Sequence, residues 1–166
     1  EAIRARLRDS GLEVEYLAGD VANPKFVAQL FDQIDQRYGR LDAVFHAAGV
    51  LETEQLALRT KSWETVERVL AAKVTGSWLL AEQLARYPEA RLVLLSSISA
   101  LAGALAAGQC DYALANRFQI DLAQQLQATG QPAQALILSE WGTSGLLAER
   151  QVGPIVRELG LEALRE

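Results

Sequence analysis

The chain has 166 residues, 50% of them hydrophobic and 22% charged, which predicts one globular domain with a hydrophobic core and excludes a disordered chain. The net charge of −5 and the lack of a basic run argue against nucleic acid and membranes as partners. A single cysteine excludes an internal disulfide and suits a reducing, cytoplasmic location, and a single histidine excludes a metal site built from several histidines.

Strand-like and helix-like segments alternate along the chain. Strands are predicted at residues 12–18, 41–45, 92–95 and 135–138. Helices are predicted at residues 26–34, 62–86 and 110–128, with one or two short helices in the remainder. Because strands joined by crossover helices lie parallel, with helices on both faces, the pattern indicates an α/β fold with a Rossmann-like parallel sheet.

Small and polar residues follow each predicted strand. The clusters are Gly19-Asp20, His46-Ala47-Ala48-Gly49, Ser96-Ser97 and Trp141-Gly142. Ligands of parallel sheets bind beyond the carboxyl ends of the strands, so all these clusters are expected at one edge of the sheet. Their coincidence predicts a ligand site at that edge.

Hydroxyl groups near the third predicted strand indicate chemistry at a carbonyl group. In the helix predicted at 110–128, Tyr112 and Asn116 are four residues apart and therefore share one face. A serine hydroxyl, a tyrosine phenol and a nearby lysine can together donate a proton to a carbonyl oxygen while a hydride comes from elsewhere. This pattern favours a carbonyl reductase.

The glycines lack the pattern of a dinucleotide-binding turn. None of the twelve glycines forms Gly-x-Gly. The chain also has no methionine and opens within the helical pattern of Ala2, Ile3 and Leu7. We therefore expect residues 1–166 to form the C-terminal, catalytic part of a single domain. Its first strands and glycine-rich turn are expected in a missing N-terminal part.

Six short motifs occur in order along the chain. They are His46-Ala47-Ala48-Gly49, Lys73-Val74-Thr75-Gly76, Ser96-Ser97-Ile98-Ser99-Ala100, Gly108-Gln109, Tyr112-x-x-x-Asn116 and Trp141-Gly142. Together they resemble the ketoreductase domain of a modular polyketide synthase, a member of the short-chain dehydrogenase/reductase superfamily. Ordinary members of that superfamily have lysine where this chain has Asn116, and the exchange of lysine and asparagine is characteristic of the synthase-embedded ketoreductases.

The resemblance implies NADPH-dependent reduction of a β-ketoacyl thioester, carried on an acyl carrier protein, to the β-hydroxyacyl thioester. In this reaction Tyr112 protonates the carbonyl oxygen, while Lys73 lowers the pKa of Tyr112 and bonds the nicotinamide ribose. Ser97 or Ser99 bonds and positions the carbonyl, and Asn116 supports the lysine and a water. The implied partners are the acyl carrier protein and other synthase domains.

The same resemblance implies a set of cofactor contacts. They are Asp20 and Val21 at the adenine, the backbone of Ala47, Ala48 and Gly49, the side chains of Lys73 and Tyr112, and the turn Trp141-Gly142-Thr143 near the nicotinamide. Two of these residues have simpler explanations. Lys73 alone is typical of a solvated helix residue, and Asp20 is a possible cap of the helix that begins near Asn23.

The choice of serine and the stereochemistry stay open. Ser99 meets the family spacing to Tyr112, whereas Ser97 lies two residues too far but belongs to the strand-end serine pair. We favour Ser97, because a loop absorbs two residues at little cost, and strand alternation predicts both serines on one side. Leu51-Glu52-Thr53 departs from the Leu-Asp-Asp of one stereochemical class, so the product configuration is not predicted.

Two other functions fit part of the pattern. One is a catalytically silent structural half of a ketoreductase, but such halves lose the tyrosine, serine and lysine that this chain keeps. The other is a free-standing short-chain alcohol dehydrogenase, which predicts lysine at position 116 instead of asparagine.

Overall fold

A three-stranded parallel sheet forms the centre of the protein. The computed structural model describes residue 11, residues 13–52, residues 59–139 and residue 160. The strands, in their order across the sheet, are β1 (Ala43–His46), β2 (Arg91–Ser97) and β3 (Ala133–Leu138). His46 lies opposite Leu94, and Ser97 lies opposite Leu138. All three strands therefore point towards the same edge of the sheet.

Helices connect the strands. They are α1 (Pro24–Tyr38), α2 (Trp63–Leu70), a π-helix (Ala71–Thr75), α3 (Gly76–Leu84), a 3₁₀ turn (Ile98–Ala100), α4 (Gly103–Ala106) and α5 (Cys110–Ala128). Within the described ranges, no helix combines the length and the apolar character needed to span a bilayer.

The first helix begins and ends where its sequence predicts. The Asn23 side chain accepts hydrogen bonds from the N–H groups of Lys25 and Phe26 at 3.0 and 3.3 Å. Pro24 occupies the first helical position, where its missing N–H needs no partner. Gly39 ends the helix in the left-handed conformation, with φ of 62°, as the predicted stop requires.

The hydrophobic core lies on both sides of β2. Leu92, Val93 and Leu94 are consecutive and each is at most 1% exposed. Consecutive strand side chains point to opposite faces, so both faces of β2 are covered. Helices α1, α3 and α5 supply the side chains in the same cluster as Leu92 and Leu94, among them Val27, Phe31, Leu80, Leu84, Leu122 and Ala123. The predicted α/β fold with a parallel, Rossmann-like sheet is confirmed.

The strand predicted at residues 12–18 is wrong within the part of it that the structure describes. Residues 13–18 belong to no strand and no helix. A strand needs a neighbour for its backbone N–H and C=O groups, and β2 is the only strand paired with β1 among the described residues. Instead, Glu13 and Glu15 accept hydrogen bonds from Arg37 of α1 at 3.2 and 2.6 Å.

The long helix predicted at residues 62–86 is continuous in path but not in hydrogen bonding. Helix α2 passes through the π-helix at residues 71–75 into α3. A π turn closes i→i+5 hydrogen bonds and inserts one extra residue per turn, which periodicity in the sequence does not reveal. Lys73 is the central residue of this turn.

Candidate active site

The carboxyl edge of the sheet brings most of the predicted catalytic residues together. Ser97 is the last residue of β2, and α5 presents Tyr112 and Asn116 in its first two turns. Asn116 is fully buried, and Ser96 Oγ donates a hydrogen bond to its backbone oxygen at 2.9 Å. This bond fastens the start of α5 to the end of β2. The segment that carries Tyr112 is therefore held against the strand end that carries Ser97.

The two candidate serines lie in different kinds of structure. Strand β2 ends at Ser97, and Ser99 lies in the 3₁₀ turn, so the predicted strand alternation does not relate them. Ser97 Oγ accepts hydrogen bonds from the Ser99 N–H at 3.2 Å and from Ser99 Oγ at 3.1 Å. The Ser97 side chain also lowers the pKa of Tyr112. The Ser97 hydroxyl is therefore the acceptor that holds Ser99 in the 3₁₀ turn.

Tyr112 is a half-buried phenol whose pKa lies above the usual 10. Burial raises this pKa, while the polar side chains of Asn116 and Ser97 lower it by less. The lowering of this pKa by Lys73 that the resemblance implied stays a prediction. A phenol with a raised pKa keeps its proton at neutral pH, as a proton donor must.

Lys73 is buried, with 4% of its surface exposed, so it is not a solvated helix residue. Its ammonium donates hydrogen bonds to the backbone oxygen of Leu95 at 2.6 Å and to Gln119 Oε1 at 3.2 Å. Its Nζ lies 5.9 Å from the centre of the Tyr112 ring. Burial lowers the pKa of Lys73 from 10.5 to about 8, because a desolvated ammonium is less stable than the neutral amine.

His46 supports the π-helix that carries Lys73. Its Nε2 lies 3.0 Å from the backbone oxygen of Ala72. A carbonyl oxygen only accepts, so Nε2 carries the proton and donates. Burial lowers the pKa of His46 to about 4, which keeps the ring neutral near pH 7. His46 is a buried strand-end residue, and its contact holds the turn that positions Lys73.

The segment after β1 runs against the Lys73 side chain. A Cβ at Gly49 would lie 3.0 Å from Lys73 Cε and 3.7 Å from Nζ, so only glycine allows this approach without a shift of the lysine. Residues 47–48 are exposed at the same edge. A Cβ at Gly76 would lie 2.8 Å from Val21 Cγ1, so Val21 packs against the end of the same π-helix.

Asp20 stabilises a turn that precedes α1. Its Oδ1 accepts a hydrogen bond from the Ala22 N–H at 2.9 Å, and its backbone oxygen accepts from the Asn23 N–H at 3.0 Å. Because Asn23 is the N-cap of α1, the alternative that Asp20 caps this helix is wrong. The other predicted cofactor contacts, Trp141, Gly142 and Thr143, lie outside the described residues.

A buried ion pair beside Tyr112 was not predicted from the sequence. Lys61 Nζ donates to both carboxylate oxygens of Asp111 at 2.7 and 2.8 Å, and each side chain is 1% exposed. Asp111 lies in the first turn of α5, where a negative charge also suits the helix dipole. The partners are 50 residues apart, so only the fold brings them together.

Breaking this pair is expected to be costly. Lys61→Met leaves the Asp111 carboxylate buried without a cation, so we expect about 3–5 kcal/mol less free energy of unfolding. The double variant Lys61→Met with Asp111→Asn should regain much of that loss. Arg117→Met is the control, because it breaks an exposed pair with Asp121 on the same helix and should cost at most about 1 kcal/mol. Urea unfolding measures these three variants and Asp111→Asn alone, and simple additivity of the two single changes at Lys61 and Asp111 would contradict the coupling.

Relatives of known sequence are polyketide synthases. The KR domain family model matches residues 1–143. The polyketide synthase PksL of Bacillus subtilis is 35% identical over 148 residues, which are 88% of this chain and 3% of that protein. The spectinabilin polyketide synthase system protein NorA of Streptomyces orinoci is 36% identical over 164 residues, covering 91% of this chain and 8% of that protein. The chain thus spans only a small part of the length of these relatives.

Solved structures agree with this result. A-type ketoreductases from a modular polyketide synthase match with a TM-score of 0.87 and 28% identity over 99% of this chain and 34% of that one. The ketoreductase from the first module of phoslactomycin biosynthesis in Streptomyces matches with a TM-score of 0.86 and 31% identity over 99% of this chain and 36% of that one. A gluconate 5-dehydrogenase from Burkholderia cenocepacia, solved with NADP and tartrate, shares the fold alone, with a TM-score of 0.76 and 17% identity over 91% of this chain and 60% of that one. The chain belongs to the KR domain family, the ketoreductases of polyketide synthases within the short-chain dehydrogenase/reductase fold.

Proposed function

We propose that this chain is the C-terminal, catalytic part of a single ketoreductase domain. It reduces a β-ketoacyl thioester, carried on an acyl carrier protein, to the β-hydroxyacyl thioester with NADPH. The observation that carries the proposal is the position of the Tyr112 ring, whose centre lies 5.9 Å from the buried ammonium of Lys73. Catalytically silent structural halves of ketoreductases lack this combination of tyrosine, serine and lysine.

Tyr112 is the proton donor of the proposed reaction. Its raised pKa keeps the phenol protonated until the carbonyl oxygen gains negative charge, and the proton then passes to that oxygen. The Ser97 oxygen accepts two hydrogen bonds from Ser99, so its one proton is left to donate to the same carbonyl oxygen and position it. Hydride transfer to the carbonyl carbon is the chemistry that NADPH supplies when bound.

Lys73 and Asn116 support the tyrosine. As Tyr112 gives up its proton, the nearby ammonium of Lys73 stabilises the phenolate that forms. The Asn116 Oδ1 atom is buried and has no hydrogen-bond partner among the residues that the structure describes. An orphaned buried acceptor of this kind fits an ordered water that links Asn116 to the lysine.

The carboxyl edge of the sheet fits a dinucleotide cofactor. Gly49 has no side chain beside Lys73. Two N–H groups of Lys73 are bonded to Leu95 and Gln119, and the third is proposed to bond a ribose hydroxyl. Asp20 and Val21 are proposed at the adenine, and Ala47 with Ala48 at the cofactor backbone. Trp141, Gly142 and Thr143 are proposed near the nicotinamide. Residues 1–166 contain no glycine-rich turn for a pyrophosphate, so the proposal assigns NADPH binding to the whole domain.

The lengths of the relatives support the proposed partners. The chain spans 3% of PksL and 8% of NorA, both of which are named as polyketide synthase proteins. We infer from this that other synthase domains accompany the chain and that an acyl carrier protein delivers its substrate.

The test uses the complete polypeptide that contains this chain, NADPH and a β-ketoacyl pantetheine thioester. We expect NADPH to be consumed with formation of one β-hydroxyacyl thioester for each NADPH. A silent structural half would consume none, and a free-standing alcohol dehydrogenase would prefer a diffusible ketone to the thioester. Either result would contradict the proposal.

The serine that acts can be identified by a direct comparison. We expect Ser97→Ala to lower kcat/KM about tenfold more than Ser99→Ala, corresponding to roughly 1.4 kcal/mol of transition-state stabilisation, because, of the two serines, only Ser97 lowers the pKa of Tyr112. Both variants are measured on one β-ketoacyl thioester at saturating NADPH. If the Ser99 change is the more damaging by that factor, the role passes to Ser99.

A further inference from the structure

Helix α5 buries a long amide beside the catalytic lysine. Gln119 is fully buried and lies three residues after Asn116, on the face of α5 that meets the π-helix. A glutamine side chain loses both rotamer freedom and hydration when it is buried, so it is stable there only with hydrogen bonds to both ends of the amide. Gln119 has both.

The two hydrogen bonds fix the direction of this amide. Gln119 Oε1 accepts from Lys73 Nζ at 3.2 Å, and Gln119 Nε2 donates to Ser77 Oγ at 3.1 Å. An ammonium can only donate, so the amide oxygen must face Lys73 and the amide nitrogen must face Ser77. Ser77 is itself fully buried on α3, four residues after Lys73. The contact therefore ties α5 to the π-helix and to α3.

This amide restricts the ammonium of Lys73. An ammonium on a four-carbon stem rotates freely unless its protons are bound. Here one proton goes to the backbone oxygen of Leu95 and a second goes to Gln119, and both acceptors belong to rigid elements. In a tetrahedral group, two fixed directions determine the third. The third N–H is therefore held in one direction.

We propose that Gln119, oriented by Ser77, is a positioning residue that aims the third N–H of Lys73 into the active site. The inference rests on the proposed function, because its benefit is to the reaction of Tyr112 and to the ribose contact of Lys73. Gln119 itself touches neither the tyrosine nor a ligand in this scheme and acts through the lysine.

Three variants of the complete polypeptide separate positioning from packing. Gln119→Met keeps the size of the side chain and removes the acceptor. Gln119→Glu keeps the acceptor, and the Ser77 hydroxyl can then donate to it instead of accepting. Ser77→Ala keeps the Gln119 amide but removes the hydroxyl that fixes the orientation of this amide. Gln124→Met is the control, because Gln124 is exposed on the same helix.

The first readout needs neither substrate nor cofactor. The pH dependence with which an amine reagent labels Lys73, followed by mass spectrometry, gives the titration midpoint of this lysine. His46 titrates near pH 4 and Tyr112 above pH 10, so neither interferes between pH 6 and 9. Loss of the amide acceptor should lower the midpoint by about one unit in Gln119→Met, since the bond stabilises only the charged form. Gln119→Glu should raise it, and Gln124→Met should leave it unchanged.

The second readout is steady-state reduction of a β-ketoacyl thioester. We expect kcat to fall about tenfold in Gln119→Met, and by less in Ser77→Ala, while Gln119→Glu stays within about threefold of the original chain. An unchanged Lys73 midpoint in Gln119→Met, or equal losses of kcat in the Met and Glu variants, would overturn the inference and leave a packing role. If the unsubstituted polypeptide reduces nothing, the proposed function fails, whereas the labelling midpoint still decides whether Gln119 holds the lysine.

Discussion

Replacing Tyr112 with phenylalanine is expected to lower kcat by about two to four decades, the range for the loss of a positioned proton donor. The phenyl ring keeps the place of the tyrosine beside Lys73, and only the hydroxyl is lost. Folding and NADPH affinity should therefore stay close to those of the unsubstituted enzyme. The large effect is confined to the chemical step.

Stopped-flow reduction of a β-ketoacyl thioester at saturating NADPH measures this step, and fluorescence titration measures NADPH affinity. Tyr87→Phe is the matched control, since it also removes a tyrosine hydroxyl. The Tyr87 hydroxyl donates to Asp35 Oδ1 at 3.2 Å, and Tyr87 precedes β2 and so does not lie at the carboxyl edge of the sheet. Near-normal turnover in the Tyr112 variant would exclude the tyrosine as the proton donor.

Local signals predicted the elements whose partners are near in sequence. The helix predicted at 110–128 has the observed bounds of α5, because its apolar pattern and the following Gly130 act within the segment. Helix α1 begins at its cap and ends at Gly39 for the same reason. The strand-end rule predicted a shared edge for the clusters that begin at His46 and Ser96, and β1 and β2 do end there, whereas no strand in the described part of the chain precedes Gly19-Asp20.

Features that depend on distant partners were missed. The segment at residues 13–18 has a strand-like pattern, but a strand forms only where another strand pairs with it. The π turn around Lys73 is hydrogen-bonded by His46, and the two bonded residues, His46 and Ala72, are 26 residues apart in the sequence. The local motif Lys73-Val74-Thr75-Gly76 singles this lysine out, but its burial depends on packing with distant residues. Its contact Gln119 is 46 residues away.

Replacing Lys73 with methionine is expected to separate function from stability. The lowering of its pKa from 10.5 to about 8 means that keeping the ammonium buried costs about 3 kcal/mol at neutral pH. Methionine relieves this cost, while the acceptors on Leu95 and Gln119 lose a donor, which costs about 1–3 kcal/mol. The two effects offset, so we expect a thermal midpoint near that of the unsubstituted protein.

The activity of Lys73→Met, in contrast to its stability, should be largely lost. Without the ammonium, kcat/KM should fall by about two to three decades and NADPH should bind more weakly.

The stability and the activity are expected to change in opposite directions with pH, because both depend on the protonation of Lys73. The folded-state pKa of Lys73 is about 8 and the unfolded value is 10.5, so the folded state binds fewer protons between these pH values and stability rises with pH across that window. Activity runs the other way, because kcat/KM falls as the ammonium loses its proton above about pH 8. Lys73→Met should lose both trends, whereas Lys25→Met, which removes an exposed lysine on α1, should keep them. Thermal melts and initial rates at pH 7 and at pH 9.5 measure the two trends in parallel. A Lys73 variant that unfolds more easily yet keeps its turnover and its alkaline decline would make this lysine a structural residue.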